Sequence, residues 1–157
     1  MKSFYITTAI SYANGAPHIG HAYEAIGADV MARFKRLDGY DVYFVTGMDE
    51  HGQKVEKAAK LAGKEPQQLV DELAVIFENM CKSLSVSYDQ FIRTTAAFHK
   101  KAAQAMWEKM EANGDIYLNK YAGWYSTRDE AFYGDDEITT LPYGKKISTI
   151  TKTELEW

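Results

Sequence analysis

Two histidines set three residues apart, His18 and His21, flank Ile19-Gly20 where a β-rich run gives way to a helical pattern. These residue types at a helix start suit an anion. The first turn of a helix leaves backbone N–H groups unpaired and carries a partial positive charge. Gly20 has no Cβ to hold a phosphate off the backbone. Side chains at this spacing share a helix face, so both imidazoles can address one polyphosphate. A lone histidine here would read as a cap or a core residue; His-x-Gly-His after a strand is far rarer. Ahead of it, Tyr12-Ala13-Asn14-Gly15-Ala16-Pro17 is a tight-turn segment. The third residue with chemistry to offer is Asp49, beside Gly47 at the end of a second apolar run. An acidic side chain there either pairs with a small cation, such as an ammonium, or caps its loop.

Holding these groups in place requires an α/β frame. Residues 3–10 (SFYITTAI) are β-rich and mostly apolar, as in a buried parallel strand. From residue 20 to about 37, Ile26, Val30, Phe34 and Leu37 recur at helical spacing, and Gly39 closes the helix. Residues 40–46 form a second strand, with 47–52 as the loop at its carboxyl end. Strand, helix and strand in this order give a parallel unit with a right-handed crossover. Ligands of open α/β sheets sit outside the carboxyl ends of the strands. Residues 10–12 and 47–49 are therefore expected on one crevice, with Asp49 facing the imidazoles across it.

Residues 53–61 make a short helix closed by Gly63, and Pro66 opens a longer one through 84, with Leu69, Leu73, Ile76, Met80 and Leu84 on one side. Cys81 within it is expected to be a buried, inert thiol. Residues 91–95 form a third strand, and a helix over 98–112 stops at Asn113-Gly114. Beyond lie short β-like pieces, turns and many tyrosines. The expected organisation is a nucleotide-binding layer over 1–114 and part of a small β-rich insertion over 115–157.

A chain of 157 residues with 46% hydrophobic content can bury a core. Its net charge of −4 argues against a nucleic-acid-binding surface over the whole chain, though not against a local basic patch. No run of 18 apolar residues occurs, Met1-Lys2-Ser3 leads straight into a strand rather than a signal peptide, and the single Cys81 allows no internal disulfide. A reducing cytoplasm is the expected compartment. Lys54, Lys57, Lys60 and Lys64 are expected to be a solvated helix face.

The stretch from Ser11 to Glu24 resembles the HIGH signature of class I aminoacyl-tRNA synthetases, and within them the methionyl enzymes. Residues 44–59 (FVTGMDEHGQKVEKAA) resemble the methionyl members, whereas leucyl, valyl and isoleucyl relatives typically carry a Gly-Trp-Asp type of loop here. Residues 91–95 with His99, then residues 114–133, match the approach to the methionyl connective insertion, so the likeness covers nearly the whole chain. It implies a Rossmann-like parallel sheet and a ligase that activates methionine with ATP and Mg2+ and then charges tRNA(Met). It also implies roles: His18 and His21 in catalysis on the phosphates; Asn14, Gly20 and Glu24 with them around ATP; Ala9, Ile10, Tyr12 and Asp49 around methionine, with Asp49 on its ammonium. For Glu24 a solvated helix carboxylate is the alternative.

Two departures qualify the likeness. Where many methionyl enzymes carry zinc-binding Cys-x-x-Cys pairs, Ser126, Asp129, Ser148 and Thr151 stand here. Hydroxyls and one carboxylate make a poor structural zinc site, so no zinc is expected. The family also continues through a second half of the fold, a KMSKS loop and an anticodon-binding domain, which are absent from this sequence. The expectation is one piece of a longer polypeptide, inactive alone. On residue chemistry two other readings stay open: a nucleotidylyltransferase, which also uses His-x-Gly-His but usually after a Gly-x-Phe-Asp segment, and a non-catalytic module that binds tRNA or a partner chain.

Overall fold

The computed structural model describes residues 2–157, which divide into two compact units at Trp107/Glu108. In the first unit a parallel sheet is built on β3 (Asp41–Asp49). It pairs with β1 (Ser3–Thr7) through residues 41–45, with β2 (Ser11–Tyr12) through 48–49 and with β4 (Gln90–Arg93) through 45–48. Val45 has Thr7 and Gln90 as partners, and Met48 has Ser11 and Arg93. A strand has two edges, so β1 and β2 share one and β4 takes the other.

β1 and β2 are thus one strand with an interruption. The register steps from Thr7↔Val45 to Ser11↔Met48, leaving residues 8–10 opposite 46–47 alone. One surplus residue makes a bulge, which breaks the strand expected to run unbroken to residue 10. β3 also extends past its expected end at 46, taking Gly47, Met48 and Asp49 into the sheet rather than a loop. Both strand partners of this stretch hold it there. At Gly47 the fit to β4 is so close that a Cβ would lie 2.1 Å from the Ile92 carbonyl oxygen.

Alternate residues of β3, Val42, Phe44, Thr46 and Met48, are buried. On the other face Tyr5 and Tyr43 stack at 6.2 Å and remain exposed. α1 (Ile19–Leu37) buries Ala25, Asp29 and Ala32. The larger residues that revealed its periodicity, Ile26, Val30, Phe34 and Leu37, are exposed. Small side chains let Ala32 join Val42 and Phe44 in one core cluster, edged by Phe4, Ile6 and Tyr40. Buried Asp29 accepts from Ser87 N–H at 2.7 Å and Arg33 Nε at 2.6 Å.

The second cluster holds Ala13, Met48 and Val55, the last from α2 (Gln53–Leu61), against Val70, Leu73, Ala74 and Phe77 of α3 (Pro66–Ser83). Pro66 occupies the first turn, as its fixed φ and missing donor allow. The buried side of α3 is turned from the expected one: Leu73 is buried and Leu69 and Met80 pack at its margin, while Ile76 and Leu84 are exposed. Cys81 is buried, and burial pushes its thiol pKa up. Lys64 pairs with Glu72. α4 (Ala97–Ala112) buries no residue.

The second unit contains two antiparallel hairpins, β5 (Trp124–Ser126) with β6 (Ala131–Tyr133), and β7 (Ile138–Thr140) with β8 (Lys146–Ser148). Residues 153–156 lie between them. Tyr125 and Glu156 exchange backbone hydrogen bonds of 2.7 and 2.9 Å, and on the other side Leu155 N–H donates to Lys146 O at 3.0 Å. Phe132 packs against Tyr121 and Tyr125, with ring centroids 4.6 and 4.9 Å away.

Candidate active site

The loop before α1 ends in a cap made by the two imidazoles. His18 is the N-cap residue, with extended backbone at φ −124° and ψ 176°. Its Nδ1 accepts from Gly20 N–H at 3.1 Å, while His21 Nδ1 accepts from His18 N–H at 3.1 Å. The pattern is that of a reciprocal capping box, with imidazole nitrogens in place of the usual oxygens. A ring nitrogen that accepts carries no proton, so each neutral ring holds its proton on Nε2. The site therefore has two Nε2–H donors. The rings stack at 3.9 Å, and His21 meets the edge of Phe77 at 5.1 Å. Burial and then the neighbouring His18 lower the His21 pKa, against a smaller opposing pull from Glu24. A Cβ on Gly20 would sit 2.9 Å from His18 Cε1. The glycine makes room for the capping ring, a duty separate from phosphate approach.

The bulge lies alongside. Ala9 N–H donates to Glu24 Oε1 at 2.7 Å, and Thr8 Oγ1 donates to Ala9 O at 2.7 Å. Thr8 Oγ1 also lies 2.7 Å from Thr46 Oγ1; its own proton is committed, so Thr46 is the donor. Ala9, His21 and Glu24, with Thr8, Ser11 and Thr46, line a cavity of about 10 Å³. That is room for one water at most and for no nucleotide.

Tyr12 and Asp49 are ladder partners at the end of the sheet. Asp49 O accepts from Ala13 N–H at 2.9 Å, and Asp49 Oδ1 lies 3.4 Å from His51 N–H. Asn14 is exposed, its N–H donating to Tyr12 O at 3.0 Å. The structure thus gathers Ala9, Glu24 and His21 in one group, His18 with Gly20 and His21 in the cap, and Tyr12 with Asp49 in another. Ile10, Tyr12, Asn14, His18, Gly20 and Asp49 do not line the cavity, and it is too small to join Asp49 to the imidazoles around an adenylate.

One supporting network went unanticipated. The Glu50 side chain is wholly buried and pairs with Arg93 Nε at 2.7 Å, while Thr95 N–H and Oγ1 donate to its other oxygen at 3.3 and 2.5 Å. Arg93 also reaches Asp71 at 2.6 Å, which holds the Asp71 carboxyl below its usual pKa. Thr94 Oγ1 accepts from Glu50 N–H at 2.9 Å. The loop after Asp49 is thereby tied to β4 and α3. The arginine that ends the half-buried strand β4 was the available signal, because a charge there needs a partner.

In the second unit, Asp129 Oδ2 accepts hydroxyl hydrogen bonds from Ser126, Tyr133, Thr151 and Thr153. Ser148 Oγ in turn accepts from the N–H groups of Ile150 and Thr151. The hydroxyl protons converge on one carboxylate, and no thiolate or imidazole takes part, so these residues do not fit a structural zinc. Among the described residues no group of three His, Cys, Asp or Glu is placed to hold a metal ion. No helix among them is long and apolar enough to cross a membrane.

Comparison with known proteins gives a consistent result. Residues 4–152 match the family model described as tRNA synthetases class I (M). The chain is 54% identical over 157 residues to a methionine–tRNA ligase of Mycobacterium leprae, covering 100% of the chain and 29% of that protein. It is 58% identical over 154 residues to one of Rhizobium meliloti, covering 98% of the chain and 30% of the relative. Among solved structures, Mycobacterium tuberculosis methionyl-tRNA synthetase in complex with methionyl-adenylate superposes with a TM-score of 0.91 at 50% identity, over 100% of this chain and 31% of that one. The chain therefore spans about 30% of the length of these curated relatives.

Proposed function

The chain belongs to the family of class I tRNA synthetases (M), and on that premise we propose that it forms part of a methionine–tRNA ligase and supplies one wall of its activation site. The reaction joins the methionine carboxylate to the α-phosphorus of ATP, releases pyrophosphate, and then passes the methionyl group to tRNA(Met). In such a reaction the protein acts by positioning and by stabilising charge. ATP enters as a substrate accompanied by Mg2+.

The observation that carries the reading is the imidazole cap, which supports two neutral Nε2–H donors at a helix start. In this reading His18 and His21 donate to the phosphates as charge builds on the departing pyrophosphate. Asn14, Gly20 and Glu24 serve the nucleotide. Asp49 takes the methionine ammonium, and Ala9, Ile10 and Tyr12 border the methionine. The cleft needs further residues from a longer polypeptide, so this chain alone is inactive. Residues 1–114 are the first half of the catalytic layer and 115–157 part of a connective insertion that holds no zinc. The compartment is the cytoplasm.

The test is methionine-dependent ATP–pyrophosphate exchange by the full-length polypeptide. Methionine should support it, and leucine and isoleucine should not. His21→Ala should lower the rate by about 10²–10³ with the fold unchanged by circular dichroism. Absence of exchange in the wild type sinks the assignment, and wild-type exchange in the variant removes His21 from the chemistry. Family membership weighs against the nucleotidylyltransferase reading.

A further inference from the structure

Both backbone groups of Ala9 are held by side chains. Its N–H donates to Glu24 Oε1 and its carbonyl accepts from Thr8 Oγ1, each at 2.7 Å. Residues 8–10 oppose only 46–47, so Ala9 has no ladder partner of its own. Peptide planarity carries the constraint one group further. Ile10 N–H lies in the same rigid plane as the Ala9 carbonyl and points the opposite way, so locking the carbonyl aims the amide. That amide donates to no group among the described residues, and Ile10 is 43% exposed. Glu24 stands three residues beyond His21, on the same side of α1. Its carboxylate joins the helix that bears the imidazoles to the segment that bears Ala9 and Ile10.

We propose that Glu24 is a positioning residue. It holds the bulge in the form that presents the Ile10 backbone to the amino-acid substrate, so that amino-acid affinity depends on a side chain of the phosphate-facing helix. The inference rests on the functional reading above and goes beyond it: Glu24 has a duty toward methionine in addition to the one toward the nucleotide.

The experiment compares Glu24→Ala and Glu24→Gln in the full-length polypeptide. Steady-state pyrophosphate exchange gives KM for methionine and for ATP, and amide hydrogen exchange at Ala9 is followed without substrates. Glu24→Ala should raise the methionine KM about tenfold, the effect of leaving one constrained N–H without its acceptor, beside any rise in the ATP KM from its contact with the nucleotide. Glu24→Gln keeps an acceptor oxygen and should return the methionine KM to within about threefold of wild type. Ala9 exchange should accelerate in Glu24→Ala alone. A rise confined to the ATP KM, or unchanged Ala9 exchange in Glu24→Ala, overturns the proposal. A wild type without methionine-dependent exchange overturns the functional reading and with it the duty toward methionine, whereas accelerated Ala9 exchange would leave the brace itself standing.

Discussion

An imidazole that accepts through Nδ1 has its other nitrogen committed to carrying the proton, and this governs what the two histidines offer. As neutral N–H donors they can stabilise developing phosphate charge without giving up a proton. The lowered His21 pKa, caused first by burial, favours that neutral form. Residue-level support of the opposite kind comes from Glu50, whose charge is sealed from water and answered by Arg93. Glu50→Ala would remove one of the two carboxylates on Arg93 and leave Thr95 without its acceptor. The expected cost is about 1–3 kcal/mol, read as a lower denaturant midpoint, while the backbone N–H of residue 50 and the His51 ring keep their contacts with Thr94. A midpoint unchanged within error would mean that the pair contributes nothing net.

At the scale of elements, β3 organises the site because three strands and two clusters of apolar side chains meet on it. Gly47 is its narrowest point. Gly47→Ala would drive a methyl group into the Ile92 carbonyl, and backbone cannot rotate away as a side chain can. The variant should lose about 3 kcal/mol or more and shift β4 away, which denaturant unfolding and hydrogen exchange of residues 90–93 would register. Element order, the helix limits and the His-x-Gly-His placement were legible in the sequence, since periodicity and turn residues are local signals. The buried face of α1 was not. Its largest apolar residues proclaim the helix, but the sheet accepts only the small ones, Ala25 and Ala32, at close range. The bulge was equally hidden, because a register step exists only between two strands. The partners of Glu24 and Glu50 were hidden for the same reason: a carboxylate's partner, 43 residues distant or only 15, leaves no mark beside it in the chain.

On the scale of the whole molecule, the two units are held by different means. The first rests on apolar packing; the second depends on a carboxylate. Asp129 is pulled well below the usual carboxylate range, chiefly by the hydroxyls of Thr153 and Thr151 against a smaller opposing effect of desolvation. Its folded pKa lies below its unfolded one, about 3.9. Its contribution is therefore complete above the unfolded value and is lost as pH falls through the folded one. Acid titration should thus loosen residues 124–156 at low pH, and Asp129→Ala should produce that loosened state at neutral pH, as reported by Trp124 and Trp157 fluorescence. An Asp129→Ala protein whose emission matches the wild type would show that the hydroxyls suffice without the charge. The placement of residues 153–156 between the hairpins also sets a timetable. During translation the hairpins of residues 124–133 and 138–148 emerge first, before the backbone hydrogen bonds that residues 153–156 make to both. Only when the ribosome has released the stitching segment, a fraction of a second to a second or so later at about 5–20 residues per second, can the pair close, so this unit is completed from its far end backwards.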